Sequence, residues 1–73
     1  MNTSSSVNQT IRTDEVNANL TYVGKAYPGS NESDAVWQLQ EIRKIGTITL
    51  VTYPFGSEAY AWSWASRAGY TYQ

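Results

Sequence analysis

The chain of 73 residues contains no cysteine and no histidine. The first absence excludes disulfides and thiolate metal sites. The second removes the commonest metal ligand and the commonest general base. Charge is scarce as well, with five Lys and Arg against six Asp and Glu and a net charge of −1. Nucleic-acid surfaces need clustered basic residues, so no footprint for DNA or RNA is expected. No apolar run approaches the ~20 residues of a membrane span. The opening Met1-Asn2-Thr3-Ser4-Ser5-Ser6 lacks the basic and apolar regions of a signal peptide. The expected setting is a cytoplasm, or assembly there into something later released.

These absences bear on chemistry. An active site would have to draw on carboxylates, Lys, Tyr or Ser. Glu32 and Asp34 lie two apart beside Asn31 and Ser33, but a calcium loop needs more oxygen ligands and a glycine at its sharp turn. They read as a solvated turn. Glu41 and Glu58 have no spacing that suggests an acid/base pair, and there is no glycine-rich phosphate loop. No nucleophile and base can be assembled, so the chain reads as a non-enzyme without a cofactor or metal. The Asn-x-Ser/Thr triplets at Asn2, Asn8, Asn19 and Asn31 read as a by-product of composition in a chain with no export signal.

Size adds a constraint. A chain this short buries only roughly 60% of the surface its unfolded form exposes. Its core rarely supplies more than about 3–5 kcal/mol, so small scaffolds usually need a staple. With disulfides and metals set aside, the staple is other subunits or a larger body.

Aromatic residues are abundant: three Trp, six Tyr and one Phe. The last fourteen residues, Tyr60 to Gln73, hold two of the tryptophans and three of the tyrosines. Rings bury the most area per residue, so the core of a short chain forms where they cluster.

Residues 1–17 read as an extended or disordered arm, rich in Ser, Thr and Asn, with Val7 and Ile11 as points that could insert into a neighbour. Residues 18–73 read as one small β domain. Leu20 to Ala26 alternates as a strand, and Gly24 inside it marks a bulge or a close backbone approach. Tyr27-Pro28-Gly29-Ser30 is a turn: proline presets φ and glycine supplies the positive φ of a type II turn. Ala35 to Ile45 mixes two periods and is read as a strand with a bulge near Glu41, which puts Trp37, Leu39 and Ile42 on one face. Thr47 to Tyr53 is a strand, joined to it by a turn at Lys44-Ile45-Gly46-Thr47. Pro54 ends that ladder for want of an N–H. Ser57 and Glu58 suit the start of a helix that Gly69 would end, although Tyr60, Trp62 and Trp64 also alternate as in a strand. Tyr70-Thr71-Tyr72 reads as a closing strand. The expected fold is mainly β: a small antiparallel sandwich or open barrel of about four to five strands, one short C-terminal helix and an N-terminal arm.

Thr21-Tyr22-Val23-Gly24-Lys25-Ala26, Pro28-Gly29, Trp37-Gln38-Leu39 and the closing Trp64-Ala65-Ser66-Arg67-Ala68-Gly69-Tyr70-Thr71-Tyr72 form a pattern over residues 20–72. It resembles a group of very short proteins encoded among the virion genes of tailed bacteriophages, with a YxGxAxPG segment, a WQI-like segment and a WxxRAxxTY ending. Many of these carry an Asp/Asn-rich segment where this chain has Ala61, Trp62 and Ser63. The resemblance implies a virion structural component of head, neck or tail, whose partners are other virion proteins and copies of itself. Its localisation would be the virion, assembled in the host cytoplasm.

The residues assign Tyr22, Trp37, Leu39, Trp64, Arg67 and Tyr70 to the core or its clamp, with the Arg67 guanidinium on aromatic faces. Val7, Ile11, Tyr60, Trp62 and Tyr72 are assigned to a partner interface, since Trp and Tyr are enriched at such sites. A rival expectation is a carbohydrate- or receptor-binding module using Tyr60, Trp62 and Tyr72.

Overall fold

A computed structural model describes residues 9–73. Four strands follow one another: β1 (Thr10–Asn17), β2 (Leu20–Ala26), β3 (Gln38–Ile45) and β4 (Ile48–Thr52). They form one antiparallel sheet in the order β1-β2-β3-β4, with no further strand at either edge among the described residues, and a short 3₁₀ helix, Trp64–Gly69, lies near the C-terminus. The fold is the small, mainly β class expected from the sequence, an open sheet and not a closed barrel.

Each turn has a local cause. Asn17 accepts the Asn19 N–H on its side-chain oxygen at 2.8 Å, turning β1 into β2. Gly29 has φ +87, and the Ser30 N–H reaches the Tyr27 carbonyl at 3.3 Å, as the Pro-Gly pair demands. Ile45 pairs with Ile48, leaving Gly46 (φ +62) and Thr47 as a two-residue hairpin loop of the type II′ pattern, with glycine first.

Three expectations need correction. Thr10–Asn17, placed by sequence in the arm, pairs with β2 along the strand. The bulge near Glu41 is absent: β3 keeps unbroken register with both neighbours, Tyr22 facing Glu41 and Glu41 facing Thr52. Ile42 therefore points away from Leu39, onto the opposite face. The irregularity falls instead in β1, between Glu15 and Asn17. The helix starts at Trp64 and not near Ser57, whose hydroxyl accepts the Ala59 N–H in a local turn. Tyr60 and Trp62 therefore lie outside the helix.

Directly opposed residues share a face of the sheet. On one face stand Arg12, Asp14, Tyr22, Gly24, Ala26, Leu39 and Glu41. The C-terminal segment covers it: Tyr22, Ala26, Trp37, Leu39 and Trp64 form the buried cluster, with Leu20, Trp62, Tyr70 and Tyr72 packed on it. The other face presents Ile11, Val23, Gln38, Gln40, Ile42 and Val51, none of them buried.

Backbone pairing ties the cover to the sheet. Trp37 and Trp62 exchange N–H and carbonyl at 2.8 and 3.0 Å. Tyr53 exchanges both groups with Gln73, and the Phe55 N–H reaches the Thr71 carbonyl at 2.7 Å. Pro54, buried and opposite Tyr72, falls between these bonds, where no N–H is required.

Candidate functional site

Gly24 sets the depth of the core. A Cβ there would lie 2.5 Å from Trp64 Cε3 and 3.1 Å from Trp37 Cε3, so both indoles sit almost on the β2 backbone. Of the two sequence readings of Gly24, close approach is the correct one; the strand is regular there. The indoles tilt together with centroids 6.0 Å apart. The Trp37 ring N–H donates to the Asn31 carbonyl at 2.9 Å.

Arg67 stacks on Trp64. Its guanidinium lies 4.3 Å over the ring, donates to the Trp64 carbonyl at 3.1 Å and pairs with Asp14 of β1 at 2.9 Å. Stacking, hydrogen bond and ion pair together use the planar fork in a way that lysine does not reproduce. The first strand is thereby bound to the C-terminal helix. The ion pair itself is partly exposed and contributes little beyond this positioning.

Tyr72 lies under the clamp. Its ring stands 5.6 Å from that of Tyr22, and its hydroxyl donates to the Arg67 carbonyl at 2.8 Å. Burial, then the nearby Tyr22 and the Glu41 carboxylate, push its phenol well above the ordinary value of 10.0. Burial and Glu41 also raise Tyr22. Unfolding frees both phenols to ionise near pH 10. The folded state therefore keeps its full stability below that pH and loses it progressively as pH rises beyond. Denaturant midpoints measured from neutral pH upward are expected to stay level and then fall above about pH 10. Tyr72→Phe is expected to flatten part of that fall and to cost about 1 kcal/mol at neutral pH through the lost hydrogen bond.

A second aromatic group reaches the surface. Phe55, Trp62 and Tyr70 meet with centroids 5.5, 6.3 and 5.3 Å apart. Phe55 is 55% exposed and has φ +51, the one positive φ outside glycine among the described residues. The Pro54-Phe55-Gly56 turn forces it: the Gly56 N–H bonds the Tyr53 carbonyl at 3.0 Å and the Ser57 N–H bonds the Pro54 carbonyl at 2.9 Å. A left-handed conformation costs a residue with a Cβ roughly 1–2 kcal/mol. Aromatic pairs return about 0.5–1.5 kcal/mol each, so the two contacts offset a strain that leaves a large ring in solvent. The Tyr70 hydroxyl accepts the Ser63 N–H at 3.0 Å, while the Trp62 ring N–H is buried without a partner.

The residues assigned from sequence separate accordingly. Tyr22, Trp37, Leu39 and Trp64 are buried together, and Arg67 is their clamp. Tyr70 packs on that cluster but also belongs to the surface aromatic group. Tyr72, placed at the interface by sequence, lies against the core. Trp62 is half-buried between core and surface group. Tyr60 stands apart, 6.5 Å from Tyr27, its hydroxyl accepting from Gln9 at 2.9 Å. Ile11 is exposed on the opposite sheet face, and Val7 lies outside the described residues. Sequence reasoning passed over Phe55 because Phe-Gly reads as a bend. The signal was a bulky residue where a turn after proline wants glycine or asparagine. Among the described residues, no three acidic side chains gather as a cation would require.

Compared with protein-family models, curated proteins and solved structures, the chain matches none.

Proposed function

We propose that this protein is a non-enzymatic assembly module, a structural component of a tailed-phage virion present in multiple copies. The observation that carries the assembly reading is the one-sided core. The C-terminal segment covers one face of the sheet, while the other leaves Ile11 60% and Val51 49% exposed, and Phe55 adds a ring at the surface. Contact with other chains would cover these exposed apolar side chains. Their residue types, aromatic and aliphatic without a cluster of like charge, suit protein partners. The virion assignment rests on the sequence pattern around Tyr22–Gly29 and Trp64–Tyr72.

Mass spectrometry of purified particles from a phage encoding the chain tests the assignment. The expected result is the chain at a fixed stoichiometry to the major virion proteins. Its absence from the particles would overturn the virion reading. The Phe55, Trp62 and Tyr70 group favours a second reading, stacking on a sugar ring of a receptor. A glycan-induced shift in tryptophan fluorescence, lost in Phe55→Ala, would support it.

A further inference from the structure

The two open edges of the sheet are unequal. Native edges are blunted by charges, bulges or covering segments. The β1 edge carries Arg12, Asp14 and Glu15 and an irregularity before Asn17. The β4 edge, Ile48-Thr49-Leu50-Val51-Thr52, has no charge, proline or bulge. Three of its five residues are exposed aliphatics: Ile48 at 60%, Leu50 at 42% and Val51 at 49%.

The free backbone groups of this edge follow from the pairing at its end. Tyr53 gives both its N–H and its carbonyl to Gln73, on the side away from β3. Backbone direction alternates along a strand. Val51 and Thr49 therefore aim N–H and carbonyl at the same outer side, where β4 has no strand neighbour among the described residues. Ile48, Leu50 and Thr52 turn theirs inward to β3.

We infer that the β4 edge pairs with the β4 edge of a second copy, about a two-fold axis at Leu50. This rests on the assembly reading and names its first contact. The register is fixed by elimination. Outward residues must meet outward residues. A centre at Val51 would set Thr49 against Tyr53 of the second copy, whose groups Gln73 already holds. A centre at Thr49 would draw Thr47 into the ladder, and Thr47 lies in the hairpin turn. The centre at Leu50 pairs Thr49 with Val51 twice, within the limits of the strand. It sets Leu50 against Leu50, and no like charges meet. The two sheets join into one of eight strands, and an interface of this kind is self-complementary by symmetry.

Proline substitution and a single cysteine test it. The N–H of Thr49 points to the outer edge, so Thr49→Pro removes a bond of the dimer and none to β3. Wild type is expected to sediment at micromolar concentration as twice the 8.2 kDa chain mass, and Thr49→Pro as a monomer with an unchanged circular dichroism spectrum. Should that variant fail to fold, the cysteine decides. Opposed residues of a non-hydrogen-bonded pair have Cα atoms about 4.5 Å apart, within disulfide reach. The chain has no other cysteine. Leu50→Cys with oxidised glutathione is expected to form a cross-linked dimer, and Ile11→Cys, at a more exposed position, is not. A monomeric wild type, or a dimer that Thr49→Pro leaves intact and Leu50→Cys does not cross-link, overturns the inference. The second of those results leaves assembly itself standing. Particle composition tests the virion reading independently.

Discussion

Gly24→Val is expected to leave the chain unfolded, and Gly24→Ala to destabilise it by about 1–3 kcal/mol, the usual cost of overpacking. Glycine inside a strand is normally inferior to alanine by roughly 0.5–1 kcal/mol, because it gives up more backbone freedom on folding. Without a close neighbour, Gly24→Ala would stabilise. Here the new methyl would stand 2.5 Å from Trp64 Cε3 and 2.9 Å from Cζ3. Trp64 is held in place by Arg67, whose guanidinium stacks on its ring and donates to its carbonyl. Trp37 at 3.1 Å is fully buried. The clash therefore outweighs the entropy gain. Valine adds two further carbons to a core that supplies only about 3–5 kcal/mol in all. Urea titration followed by tryptophan fluorescence measures both variants. A Gly24→Ala protein more stable than wild type would refute the packing described.

Trp37→Ala is expected to cost about 3–5 kcal/mol, the range for deleting a buried tryptophan. Three losses combine. The ring is fully buried, its N–H satisfies the Asn31 carbonyl, and its face supports Trp64. The backbone bridge to Trp62 survives the substitution, so the loss is one of side-chain packing. Tyr60→Ala removes a ring that is 41% exposed and is expected to shift the midpoint much less. Near-ultraviolet circular dichroism, which reports fixed aromatic surroundings, is expected to collapse in Trp37→Ala and to persist in Tyr60→Ala.

Those two residues show what could be read from sequence. β2 and β4 announce themselves by dense β-branched and aromatic residues, and the Pro28-Gly29 turn by its chemistry. The core assignments of Tyr22, Trp37, Leu39 and Trp64 follow from size and alternation. β1 does not announce itself. Its residues are mostly exposed, because it contributes backbone bonds and the Asp14 anchor to the sheet, and few apolar side chains. Composition therefore reads it as an arm. The helix start was obscured because Trp62 belongs to a backbone bridge with Trp37, twenty-five positions earlier in the chain. That pairing holds the segment extended up to Ser63, against the helical propensity of its alanines. Phe55 was legible only through turn chemistry, because its exposure comes from a turn conformation and not from polarity.

The uncovered face also bears on stability. Ile11 and Val51 are exposed there, as Ile48 and Leu50 are along the β4 edge, in a chain with no covalent staple. The proposed pairing of two copies would add to the stability of the fold, and a protein that binds its own copies gains stability with concentration.

Thermal unfolding across a wide range of protein concentration, with mass measured at each step, tests this claim most directly. The account predicts a midpoint that rises with concentration, in step with a shift from monomer to dimer. A midpoint independent of concentration, from a chain that remains a folded monomer throughout, would contradict it.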